Sequence, residues 1–180
     1  LYITDSQIFQ TVGPAFCIRK QSNAVLVSGC RSFQVRDVAV KAINSYELNF
    51  TGNVFAWHEK EGIILDKVAW GSVTGNLVID NGSYNPFDST NLNFNLNARK
   101  RPFNMVQSTD TIKKYDYSGI KVRNNSRGIT ISSNAIYNWS YAGPMKYGIE
   151  EDETCHHNNM VDNSINFYRN GDVLSKGEQS

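Results

Sequence analysis

Acidic side chains end two short segments, Gly62–Asp66 and Gly148–Asp152, which both begin with glycine and isoleucine. Successive side chains of a β-strand point to opposite faces, so an inward isoleucine places Asp66, Glu150 and Asp152 outward. If the two segments lie two strands apart in one sheet, about 9–10 Å separates them. An inverting glycosidase uses an acid and a base about 6.5–9.5 Å apart. Asp66 and Asp152 are therefore the first candidates for catalysis, and Glu150 is the next.

A basic segment, Gly119–Arg123, has the same alternation and places Lys121 and Arg123 outward. Arg123 between two carboxylates could hold an anionic sugar or increase the acidity of a carbon-bound proton in a lyase. A salt-bridge ladder explains the same charges without catalysis and is the preferred interpretation, since each exposed pair contributes only about 0–1 kcal/mol. With Ser32–Arg36 in the same row, one outward column reads Arg36, Asp66, Arg123, Asp152, and its neighbour reads Gln34, Ile64, Lys121, Glu150.

Two further groups of titratable residues are weaker candidates. The run Glu150–Glu153 with His156 and His157 could bind calcium or supply acid–base groups, although such a run is more often a solvated edge. His58 lies beside Glu59 in sequence, but neighbours on an extended segment point apart and do not converge on a metal. No phosphate-binding loop or nucleophile elbow occurs in the sequence. The sequence therefore predicts no metal or cofactor, with calcium as the one open alternative.

An asparagine-centred motif repeats along the chain. Each copy has an apolar strand, a small or polar turn, an asparagine and a second apolar strand, and the asparagines are separated by 23, 58 and 29 residues. A glycine–isoleucine signature precedes three of these asparagines by 14 or 15 residues. Two signals at a nearly constant offset indicate a structural repeat. The four asparagines are Asn53, Asn76, Asn134 and Asn163.

The repeat predicts an all-β solenoid rather than a sandwich or a barrel. No stretch of the sequence has the apolar spacing of an amphipathic helix between proper caps. Alternation is clear in 32–40 and 126–135, and short strands recur about every 23 residues. Sandwiches and barrels favour hairpins with strand spacings of about 8–12 residues. Residues 1–180 are therefore expected to form a single β-domain that belongs to a longer chain.

The G-I-x-V strand followed by x-I-T-x-N-x-I resembles a coil of the pectin-lyase-like superfamily, over about residues 15–178. The resemblance implies a right-handed single-stranded parallel β-helix with three short strands in each coil. It also implies that inward asparagines form a hydrogen-bonded ladder, because identical neighbours satisfy a buried amide. The four repeated asparagines would then have a structural role.

Residues 81–118 interrupt the repeat and are expected to form one long loop insertion. The segment carries several aromatic residues, including Tyr84 and Tyr115, among polar ones. Solenoids place insertions on one face, which is often the binding face. The aromatic rings either pack the insertion onto the helix or remain exposed and stack on sugars; both alternatives stay open.

Composition excludes several classes of protein. Hydrophobic residues make up 40% of the chain and charged residues 19%, which is incompatible with intrinsic disorder. The 18 basic residues are matched by 17 acidic ones, which argues against a nucleic-acid partner. No apolar run approaches the roughly 20 residues needed to cross a bilayer, so membrane insertion is not expected. Three cysteines, whose spacing matches no zinc or redox motif, are expected to be buried thiols.

The resemblance implies a polysaccharide lyase, hydrolase or epimerase, or a phage tailspike that cuts surface glycans. Asp66, Asp152 and Glu150 would be catalytic, and the substrate contacts would be Arg123, Lys121, Tyr84 and Tyr115. The partner would be a polysaccharide or oligosaccharide, met outside the cell, at the cell surface or on a virion, and a homotrimer is a further expectation. The alternative is a non-catalytic structural or carbohydrate-binding segment of a larger surface or virion protein.

Overall fold

The computed structural model describes residues 1–82, 116–138, 145–166 and 168–177, and its regular structure there consists of β-strands. None of the described residues lies in a helix, and none of them forms a helix that is long and apolar enough to span a membrane. The strands are β1 (Tyr2–Thr4), β2 (Gln7–Phe9), β3 (Phe16–Ile18), β4 (Asn23–Ser28), β5 (Arg31–Phe33), β6 (Val40–Thr51), β7 (Val54–Ala56), β8 (Ile63–Thr74), β9 (Leu77–Ile79), β10 (Ile120–Arg123), β11 (Arg127–Ser132), β12 (Ala135–Tyr137), β13 (Met145–Glu151), β14 (Asn159–Val161), β15 (Ser164–Asn166) and β16 (Tyr168–Ser175).

The described strands form two sheets in which neighbours pair in parallel. One sheet has the order β1-β4-β6-β8-β10-β13-β16, with β3 paired to β6 and with β11 paired to β8 and β14. The other has the order β15-β12-β9-β7-β5-β2. Parallel neighbours need a crossover between them and cannot be joined by a hairpin. The predicted all-β class with parallel strands is confirmed.

The two long strands β6 and β8 are bent at matching positions. Each contains two residues in the left-handed region, Asn44 (φ 48°) and Glu47 (φ 56°) in β6, and Lys67 (φ 57°) and Trp70 (φ 56°) in β8. The strands stay paired from Val40 opposite Ile63 to Thr51 opposite Thr74. Because the bends coincide, both strands change direction together, and each 12-residue strand supplies several short straight segments.

Aliphatic and aromatic side chains stack in rows between the sheets. Ile63, Ile120 and Ile149 are neighbours in β8, β10 and β13, and all three are fully buried. Burying such a side chain contributes roughly 1.5–3 kcal/mol relative to leaving it exposed. Of the cysteines, Cys30 and Cys155 are buried as expected, whereas Cys17 is exposed on β3.

The glycines of the repeated signature stand where a side chain does not fit. A Cβ atom on Gly62, Gly119 or Gly148 would lie 2.9, 2.8 and 2.8 Å from a backbone carbonyl oxygen of the next strand. The same atom would also collide with an inward side chain of the second sheet: Val78, Ile136 or Ile165. The glycines therefore lie where side chains of the second sheet approach the backbone closely.

The structure corrects one part of the predicted outward columns. Lys41 lies beside Ile64, and Ile43 lies beside Asp66. The predicted members Gln34 and Arg36 are absent from this row, because the residues just before them, 31–33, form β5 in the other sheet. The sequence signature missed the true neighbour, since alanine at position 39 replaces the glycine that marks the other copies.

Candidate functional site

The repeated asparagines form a continuous series of side-chain hydrogen bonds, here called the Asn ladder. Nδ2 of Asn53 donates to Oδ1 of Asn76 (2.9 Å), Nδ2 of Asn76 to Oδ1 of Asn134 (3.0 Å), and Nδ2 of Asn134 to Oδ1 of Asn163 (2.9 Å). Each Nδ2 group also donates to a backbone carbonyl, and each Oδ1 atom also accepts a backbone N–H. Each ladder asparagine is thus hydrogen-bonded through both its Nδ2 and its Oδ1 atom, which favours a structural role.

The residue before each ladder asparagine adopts a left-handed conformation. This explains the small or polar turn that the sequence repeats, because glycine, asparagine, aspartate and serine tolerate such turns best. The four residues are Gly52 (φ 64°), Gly75 (φ 66°), Ser133 (φ 55°) and Asp162 (φ 54°).

A second buried row runs parallel to the Asn ladder and was not predicted. Ser32 Oγ lies 3.0 Å from Nε2 of His58, and Nδ1 of His58 contacts Oδ1 of Asn81. The backbone N–H of Asn81 donates to Oδ1 of Asn138 (3.1 Å), and Nδ2 of Asn138 donates to the carbonyl of Asn81 (3.0 Å). These four residues are here called the His58 row. Its spacing of 23 residues from His58 to Asn81 equals that from Asn53 to Asn76, which is the sequence signal that could have revealed it.

The hydrogen bonds of His58 determine its tautomer. Oδ1 of Asn81 can only accept, so Nδ1 of His58 carries the proton and Nε2 accepts from the Ser32 hydroxyl. Burial lowers the pKa of His58 from its usual 6.5 to about 4, against the raising effect of the Asn81 hydrogen bond. Serine, histidine and asparagine in this order resemble a hydrolytic relay, but Ser32 and His58 are both 0% exposed. The arrangement belongs to the core.

Asp66 is held by two side chains of the neighbouring strand. Nε of Arg123 donates to one carboxylate oxygen (2.8 Å), and Nδ2 of Asn124 donates to the other (2.8 Å). Arg123 is the direct β10 neighbour of Asp66 in β8. The hydrogen bonds favour the structural alternative, in which Asp66 is one half of an ion pair.

Asp152 organises the turn after β13. Its Oδ2 atom accepts from the N–H of Asn124 (3.0 Å), and its Oδ1 atom accepts from both the N–H (3.0 Å) and the hydroxyl (2.6 Å) of Thr154. Although partial burial raises the pKa of Asp152, hydrogen bonds from Thr154 and Asn124 outweigh it and hold the pKa below the usual value. An ionised carboxylate with its oxygens already occupied is a poor proton donor.

Glu150 lies on the outer face among donors. It accepts from the Ser118 hydroxyl (2.6 Å) and from Nζ of Lys146 (3.2 Å), and Nζ of Lys121 lies 3.4 Å away. Partial burial raises its pKa, but the Ser118 hydrogen bond and the charges of Lys121 and Lys146 outweigh burial, so the pKa is lowered. Lys121 is the direct neighbour of Glu150 in the adjacent strand.

Glu61, which the sequence did not single out for catalysis, lies within range of the charge of Glu150. The side chain precedes β8 and is 6% exposed. Burial raises the pKa of Glu61, and the charge of Glu150 acts in the same direction, whereas a backbone hydrogen bond and the charges of Lys121 and Arg123 oppose it. The two carboxyl groups thus have pKa values shifted in opposite directions. Glu61, Ser118, Lys121, Lys146 and Glu150 are here called the Glu61–Glu150 cluster.

The two described ends of the segment that interrupts the repeat, residues 81–82 and 116–118, meet beside this cluster. The N–H of Gly82 donates to the carbonyl of His58 (3.0 Å), and a Cβ atom on Gly82 would lie 2.6 Å from Cβ of Tyr117. Burial, followed by the charge of Glu61, raises the pKa of Tyr117. Tyr84 and Tyr115 lie outside the described residues.

The acidic run 150–153 does not converge on one point. Glu151 is buried and accepts hydrogen bonds from Asn158 (2.7 Å) and from the hydroxyl of Ser175, while its neighbours in sequence face outward. His156 and His157 contact each other at a ring distance of 5.2 Å. Among the described residues there is no group of three histidine, cysteine, aspartate or glutamate side chains placed to hold a metal ion.

Comparison of the chain with protein-family profiles, with curated protein sequences and with solved structures finds no match. Functional inference therefore depends on the site itself.

Proposed function

We propose that the chain is a right-handed single-stranded parallel β-helix of the pectin-lyase-like kind. The constant parallel pairing supports this proposal, because residues 23, 58 and 29 positions apart become neighbours in the Asn ladder. Two sheets joined by left-handed corner residues, with amide rows along the corners, also support it. Right-handed crossovers are the rule between parallel strands of one sheet. The 58-residue step agrees with one long insertion between two coils.

On this fold we propose that the protein hydrolyses a polysaccharide outside the cell, with Glu61 as general acid and Glu150 as general base. The observation that carries the proposal is the opposite pKa shift of two carboxyl groups that influence each other, that of the partly exposed Glu150 and that of Glu61, which is 6% exposed. Environments that separate the pKa values of paired carboxyls assign the acid and the base. As the pH rises, Glu61 therefore keeps its proton to a higher pH than Glu150 does.

The proposed reaction is a direct displacement by water. Glu61 donates its proton to the glycosidic oxygen as the bond to the anomeric carbon breaks, and Glu150 accepts a proton from the attacking water. Glu61 precedes β8 and Glu150 lies in β13, with β10 between them, so the strands are about 9–10 Å apart. Inverting enzymes hold their two carboxyl groups about 6.5–9.5 Å apart, which leaves room for the water, so the proposal predicts inversion at the anomeric carbon. Lys121 and Lys146 would bind the sugar chain.

Cleavage assays with paired variants test the proposal. The protein would be incubated with acidic and neutral polysaccharides while reducing ends and the absorbance of unsaturated uronates are followed. Glu61→Gln and Glu150→Gln are each expected to lower the rate by about 100-fold or more, since each removes a proton-transfer group. Asp66→Asn and Asp152→Asn are the matched controls. Loss of activity only in the controls would reject the Glu61–Glu150 assignment, and unsaturated products would indicate a lyase.

A non-catalytic structural or glycan-binding segment of a surface or virion protein is the second candidate. The observation that favours it is the complete bonding of Asp66 and Asp152. An ion pair and a turn carboxylate need no substrate to explain them. A folded protein that cleaves none of the polysaccharides would support this candidate, and ultracentrifugation would test the expected homotrimer.

A further inference from the structure

Trp70 is exposed at a bend of β8, in a backbone conformation that is unfavourable for tryptophan. The residue is 58% exposed and has a φ of 56°. The left-handed region costs roughly 1–2 kcal/mol for a residue with a Cβ atom. This side chain combines exposure, backbone strain and a fixed orientation.

The indole is held on one side by the neighbouring strand. A Cβ atom on Gly128 would lie 2.9 Å from Cδ1 and 3.5 Å from Nε1 of Trp70. The indole ring therefore occupies the room that is free because residue 128 has no side chain. The guanidinium carbon of Arg127 lies 5.9 Å from the ring centroid. A cation at this distance contributes about 0.5–1 kcal/mol at an exposed site. The ring is therefore oriented before any ligand arrives.

Polar residues lie in the strands on either side of Trp70. Glu47 is exposed and lies opposite Trp70, because Tyr46 pairs with Ala69 and Leu48 pairs with Gly71. On the other side, the backbone of Arg127 forms an isolated parallel β-bridge with that of His156, whose ring lies 5.2 Å from the ring of His157. A residue that can accept a hydrogen bond thus lies in the strand on one side of Trp70, and a residue that can donate, Arg127, lies in the strand on the other side. Trp70, Glu47, Arg127 and Gly128 are here called the Trp70 platform.

We propose that the Trp70 platform binds a hexuronate ring of an acidic glycan. The C–H face of the sugar packs on the open face of the indole, Arg127 donates to the sugar carboxylate, and Glu47 accepts from a ring hydroxyl. A planar guanidinium suits a carboxylate because it donates two parallel hydrogen bonds. The ring offers apolar area with little loss of conformational entropy, because its orientation is already restricted.

This inference rests on the proposed glycan function and extends it. Trp70 lies six residues beyond Ile64 along β8, and Ile64 is next to Lys121 of the Glu61–Glu150 cluster. Six residues of strand span at most about 20 Å. A glycan of several sugar units could contact both places, whereas a disaccharide could not. The Trp70 platform is therefore a binding subsite for long substrates.

Calorimetry with defined oligosaccharides tests the proposal directly. The probes are a hexasaccharide of 1,4-linked hexuronic acids and a neutral hexasaccharide of 1,4-linked hexoses. The wild-type protein is expected to bind the acidic probe more tightly, and Trp70→Ala is expected to weaken that binding about tenfold or more, as the loss of one stacked ring would. Arg127→Ala is expected to remove the preference for the acidic probe. Tyr2→Ala, which changes another exposed aromatic residue, is the matched control.

Three results would overturn the inference: no binding of the acidic probe by the folded wild-type protein, equal binding by Trp70→Ala, or an equal effect of Tyr2→Ala. The outcome is separable from that of the hydrolase proposal. Binding that depends on Trp70 without any cleavage would retain the platform and reject the hydrolase. If cleavage occurs, Trp70→Ala is expected to raise KM for long substrates more than it raises KM for disaccharides.

Discussion

The Asn ladder and the His58 row both pair buried polar side chains by hydrogen bonds, but they use different residues. Both bury polar side chains one strand apart, and both satisfy them by hydrogen bonds along the row. The Asn ladder uses one residue type throughout, so each amide donates to the next and none of them titrates. The His58 row combines a hydroxyl, an imidazole and two amides, so its bonds depend on one tautomer of His58. The stability that the Asn ladder contributes therefore does not depend on titration of its own side chains, whereas that of the His58 row does.

The largest expected effect comes from breaking the Asn ladder in its middle. Asn76→Ala would remove the acceptor of the Asn53 amide groups and the donor to Phe50 and Asn134. Buried groups left unpaired cost about 1–3 kcal/mol each, so a loss of about 3–5 kcal/mol in the free energy of unfolding is expected. Urea denaturation measures it. Asn49→Ala on the exposed face of β6 is the control, with an expected change below about 0.5 kcal/mol. Equal losses in both variants would contradict the ladder's role.

The second-largest expected effect is on how the free energy of unfolding changes with pH, because only the His58 row contains a titratable side chain. The pKa of His58 in the folded protein is about 4, below its usual 6.5, so the unfolded chain takes up the proton first as the pH falls. This contribution to stability is complete above pH 6.5 and is lost progressively down to about pH 4. The pKa difference corresponds to about 3 kcal/mol.

Denaturation from pH 7 to pH 4 should therefore show a loss that His58→Gln lacks and that Asn49→Ala retains. The difference between wild type and variant removes the contributions of Glu59 and Glu61, whose raised pKa values act in the opposite sense. An imidazole that titrates near pH 6.5 in the folded protein, seen by NMR, would refute the prediction.

A smaller effect on stability is expected at the left-handed residues that precede the two rows, Gly75 before Asn76 and Trp57 before His58. Gly75 before Asn76 has a φ of 66° and no atom within 4 Å of a Cβ position, so Gly75→Ala adds backbone strain alone, about 1–2 kcal/mol. Trp57, which precedes His58, already has a left-handed φ of 62°. Trp57→Gly relieves that strain but loses a hydrogen bond to Asp80 (3.1 Å).

Thermal unfolding should therefore show a lower midpoint for Gly75→Ala. Gly13→Ala is the control, because Gly13 has equal space without a left-handed φ. A lower midpoint for Gly13→Ala by the same amount would show that strain at residue 75 is not the cause.

The smallest expected effect extends the Asn ladder by one member. Cys30 occupies the next position, where its N–H donates to Oδ1 of Asn53 (2.9 Å). Cys30→Asn would add an amide donor to the same oxygen, and a net gain of up to about 1 kcal/mol is expected for one buried hydrogen bond. Cys30→Ser, which adds no amide, is the comparison variant. A greater gain in unfolding free energy for serine would contradict a ladder that asparagine extends.

Much of the fold could be predicted from the sequence because it is periodic. The alternation around Ile63 and Ile120, the glycines at 62, 119 and 148, and the identical asparagines repeat at offsets that survive in the strand pairing. The predicted placement of Arg36 beside Asp66 was wrong. The segment that contains Lys41 pairs there instead, and it was not recognised as a copy of the repeat because it begins with Ala39 in place of glycine. The His58 row escaped detection for the same reason: its members share a position but not a residue type.

The candidate site could be predicted only in part. Glu150 and Lys121 followed from strand alternation and lie together. The importance of Glu61 depends on its burial and on Glu150, which lies 89 positions later in the chain, and neither property can be read from neighbouring residues. The hydrogen bonds of Asp152 to Asn124 and Thr154 are equally invisible in the sequence.

The sequence by itself determined the all-β class, the parallel repeat and the asparagines that join one strand to the next. These features depend on local periodicity, which each segment carries alone. Only the tertiary structure decided which charges meet, which carboxyl group is buried and which histidine stays neutral. Those properties arise from desolvation and from contacts between residues distant in sequence, and both come into existence only when the strands are stacked.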